Sequence, residues 1–297
     1  EIERLSRSGK LAVLCDDGVV DVDTAGENSR VTLASGRQLS TPTLVDARGP
    51  DAGQATNAIG FQKFVGLELE VELGSAPTLP LLIDARVPQR DGFRFVYVLP
   101  LASTRVLVED TTFADGPELD VPRLREEIRA YAASAGLRVR AVVRQELGVL
   151  PLPSRATAAP TSVPGVIRAG YQGGFFHPTT GYSFPLAVRL AATLAASEPS
   201  VLRRSLAALA RREARQQRYA ALLNRLLFRG FAPEERRNVL ERFYRLPAAT
   251  VRRFYALRLT PWDRARILCG RPPRGFSVTR FLRANERALL PAPGDPA

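Results

Sequence analysis

Histidine is nearly absent from this chain. Its 297 residues contain one, His177, together with two cysteines, Cys15 and Cys269, far apart in sequence. No structural zinc site can be assembled from that inventory, so the expectation for metal is none, and no disulfide framework exists. A reducing cytoplasm is the default compartment. Lysine is almost as scarce: Lys10 and Lys63 are the only two among 42 basic residues, so the positive charge is nearly all guanidinium. Long apolar runs are missing as well. The longest candidate, Phe184 to Ala196, carries Arg189 and falls short of the roughly 18 residues that a membrane-spanning helix needs. The opening EIERLSRSGK has neither an initiator methionine nor a signal-peptide pattern, and the expectation is that an N-terminal portion is missing.

The length suffices for about two domains and a substantial core, and no internal repeat is present. The net charge of +12 is unevenly placed. Residues 201–297 hold 22 Arg against 7 acidic residues, a net of +15, whereas the first 200 residues carry a net of −3. Either arginine is favoured throughout by composition, or the C-terminal part meets an anionic partner, lipid headgroups or nucleic acid. No zinc finger, RNA-binding aromatic motif or helix-turn-helix signature accompanies the arginines, so nucleic acid is not the expected partner.

The first fifty residues read as strands: LAVLC, VVDVD and VTLASGRQLSTPTLVDARG alternate apolar and polar residues around Gly, Asp and Ser turns, and end in a buried strand at 44–49. Residues 61–150 read as a mostly antiparallel sheet of five strands interrupted by one helix. That helix, VPRLREEIRAYAASAG, has an apolar stripe of Leu124, Ile128, Tyr131 and Ala135, with Asp120 as its cap and Gly136 as its stop. VIRAG is a second short buried strand. A helix is expected from Ser183 to Ala196, and everything beyond Val201 reads helical, including a capping box opening at Thr260. The resulting organisation is 1–60 with 151–200, an inserted sheet at 61–150, and an Arg-rich helical region at 201–297.

GGFFHPTTGYSFP, residues 173–185, ends at a helix start whose first amides lack internal partners. Such a turn can cradle an anionic or carbonyl-bearing ligand. It can equally be a strand-to-helix turn that needs glycine for geometry alone, and on pattern alone the second reading leads. Ser183 is the expected helix cap.

GGFFHPTTGYSFPLAV, FVYVLPLASTRVLVEDTTF, LVDARG, FQKFVGLELE and the tail APEERRNVLERFYRLP…RRFYALRLTPWDRARILCGRPP resemble, in this order, the bacterial flavin-dependent lycopene β-cyclases. The resemblance implies an α/β fold with α+β elements, of the FAD-dependent hydroxylase or glutathione-reductase-like class, with an inserted antiparallel substrate sheet and a helical C-terminal region. It implies cofactor contacts from Asp46, Arg48 and Gly49 at a strand end. Further contacts are implied from Gly173, Gly174, Phe176, His177, Pro178, Thr179, Thr180 and Gly181, with His177 positioning the loop. The Gly-rich turn for the ADP half of FAD is absent from this chain, which as given is expected not to hold FAD tightly. The ribityl-binding Asp of related flavoproteins is replaced near Gln172.

The implied reaction is a non-redox cyclisation of the acyclic ends of lycopene, or of another acyclic carotenoid, to β-rings. It uses reduced FAD, with NAD(P)H as a reductant that is not consumed, at an anionic membrane surface to which a cytoplasmic enzyme binds peripherally. A flavin monooxygenase or prenyl reductase of the same fold is the alternative. Cyclisation requires a carboxylic acid in a dry pocket. Glu109 and Asp110 are adjacent in a strand and point to opposite faces; the resemblance assigns the acid to Glu109. Asp84 and Glu146 are weaker candidates for the acid, for which a structural role is the leading reading. Phe93, Phe95, Tyr97 and Trp262 are candidate tunnel aromatics.

Overall fold

The computed structural model describes residues 1–26, 28–50, 57–156, 165–269 and 274–287. Two compact units partition the chain, one from Glu1–Gly49 with Pro160–Gly174, the other from Pro50–Ala159 with Phe175–Ala297.

The first unit holds helix α1 (Ile2–Arg7) and an antiparallel meander of β1 (Val19–Asp23), β2 (Ser29–Leu33) and β3 (Gln38–Thr41). The β2–β3 turn needs Gly36, whose φ is +82°. LAVLC forms no strand: residues 11–15 are irregular, with Val13 and Leu14 exposed. The alternation there is apolar, but no neighbouring strand pairs with it. Strand β4 (Leu44–Asp46) runs parallel to β10 (Val166–Arg168), Leu44 opposite Val166. The expectation of a buried strand fails at β4, where Val45 is 42% exposed. Among the described residues β4 pairs on one side only, and parallel strands are buried only when both faces are covered.

The second unit is built on five antiparallel strands: β5 (Ala58–Val71), β6 (Leu81–Asp84), β7 (Phe93–Ala102), β8 (Arg105–Ala114) and β9 (Val139–Pro153), in the order β6-β7-β8-β5-β9. Alternation along these strands separates two apolar faces. One carries Val65, Leu67, Leu69, Val96, Val98, Val106 and Val108, and helix α2 (Val121–Ser134) packs on it through Leu124, Ile128 and Ala132. Each such fully buried side chain contributes about 1.5–3 kcal/mol. The expected stripe is off at its last member: Ala132 is buried and Ala135 exposed, because the helix ends and Gly136, at φ +78°, turns the chain away. The cap is as expected, with the Asp120 carboxylate accepting from the Arg123 N–H at 3.1 Å.

The opposite face carries Phe93, Phe95, Phe113 and Leu152 and is covered by the C-terminal helices. These are α3 (Phe184–Ala196), α4 (Pro199–Gly230), α5 (Arg236–Tyr244), α6 (Ala248–Tyr255), α7 (Pro261–Leu268) and α8 (Val278–Arg287). Leu227 and Phe228 of α4, with Val239 and Leu240 of α5, seal the sheet. The Thr260–Asp263 capping box forms in full at the start of α7. Among the described residues no helix is long and apolar enough to cross a membrane, and no cluster of His, Cys, Asp or Glu offers a metal site.

Candidate active site

The strand register assembles one cross-sheet row on the helix-covered face. Tyr97 of β7 lies opposite Glu109 of β8, Glu109 opposite Gly66 of β5, and Gly66 opposite Glu146 of β9. Two carboxylates therefore flank a residue without a side chain. A Cβ on Gly66 would stand 2.9 Å from Cγ of Glu146 and 3.3 Å from Cδ1 of Leu107, so the glycine leaves room for Glu146 to lie over the strand.

Glu109 accepts a hydrogen bond from the Thr111 hydroxyl at 2.8 Å, and no cation pairs with it among the described residues. Burial, followed by the negative charge and hydrogen bonding of Glu146, pushes its carboxyl up to about 7 against the relief that Thr111 provides. At neutral pH a large fraction of Glu109 thus carries its proton, as a general acid must.

Asp110, one residue on, faces α2. Arg94 binds its carboxylate through both Nε and Nη2, with Nε to Oδ1 at 2.9 Å and Nη2 to Oδ2 at 2.5 Å. Arg94 also contacts Glu127 of α2. Burial raises the Asp110 carboxyl and the guanidinium offsets that push.

Tyr97 lies beside Glu109 in the row, and two further tyrosines lie near Tyr97. Tyr97 stacks edge-on against Phe95 at 5.1 Å, and its phenol is pushed upward by burial first, then by Tyr255 and Glu109. The hydroxyls of Tyr244 (α5) and Tyr255 (α6) are hydrogen-bonded to each other; burial and the neighbouring tyrosines raise Tyr244, and burial raises Tyr255. All three remain neutral, and their ring faces offer quadrupole stabilisation to a cation.

The other aromatic candidates separate. Phe93 and Phe95 are core residues, each 2% exposed, because their face of β7 meets α4 and α5. Trp262 is 81% exposed at the start of α7. Asp84 is structural, as expected: Arg86 and the Tyr131 hydroxyl bind it and hold its carboxyl far below the ordinary range.

The 175–183 segment belongs to the same unit and reaches this aromatic group. His177 is fully buried. Its Nδ1 accepts from the Thr179 N–H at 3.1 Å and its Nε2 donates to the Phe254 carbonyl at 3.0 Å. Those two bonds fix one tautomer, and burial lowers the imidazole to about 4. Its carbonyl accepts from the amides of Thr180 and Gly181, at 3.2 and 2.9 Å. Gly181 has φ +68°, a conformation that suits glycine. Asn224 of α4 donates to the carbonyls of Pro153 and Pro178, and Thr179 donates its hydroxyl to Ala220 at 3.1 Å. The turn is held from both sides. Phe176, His177 and Pro178 are buried; Thr179, Thr180 and Gly181 are partly exposed. Ser183 occupies the N-cap position of α3 but its side chain makes no capping bond, because its backbone is already in the helical region, at φ −108° and ψ −19°, and not in the extended one that caps use.

The remaining candidates lie in the first unit. Asp46 is bound by Arg48 through Nε at 2.9 Å and Nη2 at 2.7 Å, which lowers its carboxyl. Gly49 is exposed with open space around it. Gly173 is buried where a Cβ would sit 2.0 Å from the Arg168 carbonyl oxygen, so only glycine fits, and Gly174 has φ +69°.

Sequence reasoning passed over Gly66, Tyr244, Tyr255 and Asn224 and placed Glu146 among structural carboxylates. The β5–β9 register is what brings Glu146 to Glu109, and nothing local in RQELGVLP signals it.

Comparison with known proteins gives a consistent picture. The sequence model of the family described as lycopene cyclase protein matches residues 9–281. The lycopene beta-cyclase of Paracoccus sp. (strain N81106 / MBIC 01143) is 40% identical over 265 residues, covering 87% of this chain and 67% of the relative. The lycopene beta-cyclase of Pseudescherichia vulneris is 44% identical over 248 residues, covering 82% and 64%. The chain thus spans about two thirds of the length of these relatives. A geranylgeranyl bacteriochlorophyll reductase-like protein from Thermoplasma acidophilum shares the fold, with a TM-score of 0.51 at 10% identity over 92% of this chain and 69% of that one. With a family match along nearly its whole length and an α/β fold carrying the inserted antiparallel sheet and C-terminal helices, the chain belongs to the lycopene cyclase family.

Proposed function

We propose that the protein cyclises the acyclic ends of lycopene to β-rings, with Glu109 as the acid. The observation that carries this reading is a carboxyl raised to about 7, in a row with Tyr97 and with no cation paired to it among the described residues. The Glu109 O–H breaks as its proton forms a C–H bond at the terminal alkene. The neighbouring π-bond closes on the resulting cation, and a ring proton passes back to the Glu109 carboxylate as the ring alkene forms, which restores the acid. The sum is an isomerisation, without net electrons. The new carboxylate and the rings of Tyr97, Tyr244 and Tyr255 stabilise the cation.

A flavin fits the partly exposed edge of the 179–184 turn. This edge lies at the N-terminus of the 13-residue helix α3, whose first turn holds no acidic residue, so its positive end is open to an anionic group. Thr180 and Gly181 are the residues to hold it, whereas Phe176, His177 and Pro178, buried beneath, keep the turn's shape. Reduced FAD, when bound there, would supply negative charge that favours the cation, with NAD(P)H as a reductant that cyclisation does not consume.

Lycopene is insoluble in water, so its enzyme meets it at a bilayer. Arg204, Arg211, Arg215 and Arg218 are exposed along one face of α4, a stripe about 20 Å long, and none has an ion-pair partner among the described residues. This favours peripheral docking on anionic lipid, with exposed Trp262 as an anchor. Anionic liposomes should sediment the protein at low salt and release it at high salt, whereas equal, salt-independent binding to neutral liposomes contradicts the electrostatic part.

The activity is tested in lycopene-accumulating cells that express the protein. The expected product is β-carotene or its one-ringed precursor, with no stoichiometric NADPH oxidation in the isolated reaction. Equimolar NADPH oxidation would instead indicate a reductase or monooxygenase.

A further inference from the structure

Glu109 and Glu146 lie on strands that never pair with each other, since β8 and β9 flank β5 on opposite sides. Two strand spacings separate their backbones, about 10 Å, and the side chain between them would ordinarily keep them apart. The residue between them is Gly66. The space its missing Cβ would fill lies 2.9 Å from Cγ and 3.2 Å from Oε1 of Glu146, so the Glu146 carboxyl leans over the strand in the row that holds Glu109, and its negative charge helps push the Glu109 carboxyl up. A negative charge brought close across that gap disfavours ionisation of Glu109.

The surroundings are asymmetric. Arg144 stands 3.1 Å from the Glu146 carboxylate and 3.2 Å from Glu68, which Arg105 also binds. On the Glu109 side the neighbouring groups are Thr111 on its own strand and Tyr97 on β7, with Tyr244 and Tyr255 from the helices beyond Tyr97, all uncharged. Asp110 faces away and is neutralised by Arg94. The cation lies at the Glu146 end of the pair and only uncharged groups lie at the other, so the proton is favoured on Glu109.

We propose that Glu146 is a positioning residue that keeps Glu109 protonated, acting across the side-chain-free gap at Gly66. It deepens the cyclase reading by naming what loads the acid, and its catalytic consequence rests on that reading. The same charge favours return of the ring proton to Glu109 at the end of turnover.

Two variants test it. Glu146→Gln removes the charge and keeps the shape; Gly66→Ala leaves both carboxyls in place and pushes Glu146 off the gap. The Glu109 carboxyl is titrated by its infrared C=O band, identified by its loss in Glu109→Gln. The expected result is a midpoint lowered by about one unit or more in both variants, with the alkaline limb of the cyclisation rate moving to lower pH by the same amount. A wild-type midpoint in Glu146→Gln overturns the inference, and so does one in Gly66→Ala. A lowered midpoint in a protein that yields no cyclised product leaves the pairing standing and removes the cyclase reading instead.

Discussion

Glu109 and Asp110 are neighbours in one strand, yet the two faces of the sheet give them opposite fates. On the α2 face, Asp110 is 1% exposed and bound by Arg94, which also serves Glu127. On the opposite face, Glu109 has a hydroxyl, a second carboxylate and the Tyr97 phenol near it, and no cation pairs with it among the described residues. The first arrangement neutralises a charge for the sake of the fold. The second withholds neutralisation, so the group keeps a proton at a pH where an ordinary glutamate has lost it. The same residue chemistry is structural or reactive according to whether a guanidinium is supplied.

Breaking the paired face has the largest expected effect. Arg94→Leu strands the buried Asp110 carboxylate and is expected to lower unfolding free energy by about 3–5 kcal/mol, measured by urea denaturation. Glu109→Gln should not destabilise at all near neutral pH, and this sharpens the contrast.

The second prediction concerns pH. The Glu109 carboxyl is raised from 4.5 in the unfolded chain to about 7 in the folded protein, so folding binds a proton in that window. Its contribution is fully present below about 4.5 and is lost as pH rises through 7, at most about 3 kcal/mol at 1.36 kcal/mol per unit. Relative to Glu109→Gln, the wild type should therefore lose stability between pH 4.5 and 7. Parallel stability curves for the two proteins would contradict a raised carboxyl.

His177 sits below both faces in expected effect on chemistry. Its ring is neutral above about pH 5, since it is lowered to about 4. His177→Ala should cost about 1–3 kcal/mol, as Phe254 and Thr179 lose partners. It should weaken flavin retention and leave the shape of the pH–rate profile unchanged. Normal flavin retention with all turnover lost would make His177 a chemical group.

Much of this contrast is legible in the sequence. Period-two alternation alone sends Glu109 and Asp110 to opposite faces, and the caps at Asp120 and Thr260 are local signals that hold. What depends on partners far along the chain is not legible. Glu146 reaches Glu109 only through the register of β5 with two different strands, and that register shifts at three points along β9. Phe93 and Phe95 look like tunnel aromatics until α4 and α5 close over them. LAVLC alternates like a strand but has no strand beside it, and Ser183 has a cap's identity without a cap's backbone. Local pattern determines which way a side chain points; non-local pairing determines what it meets.

The most direct test compares cyclisation rates of Glu109→Gln and Asp110→Asn, each with flavin content measured alongside. The account predicts normal flavin content in both, a fall of at least about a hundredfold for Glu109→Gln, and a much smaller loss for Asp110→Asn. Near wild-type β-ring formation by Glu109→Gln would contradict it.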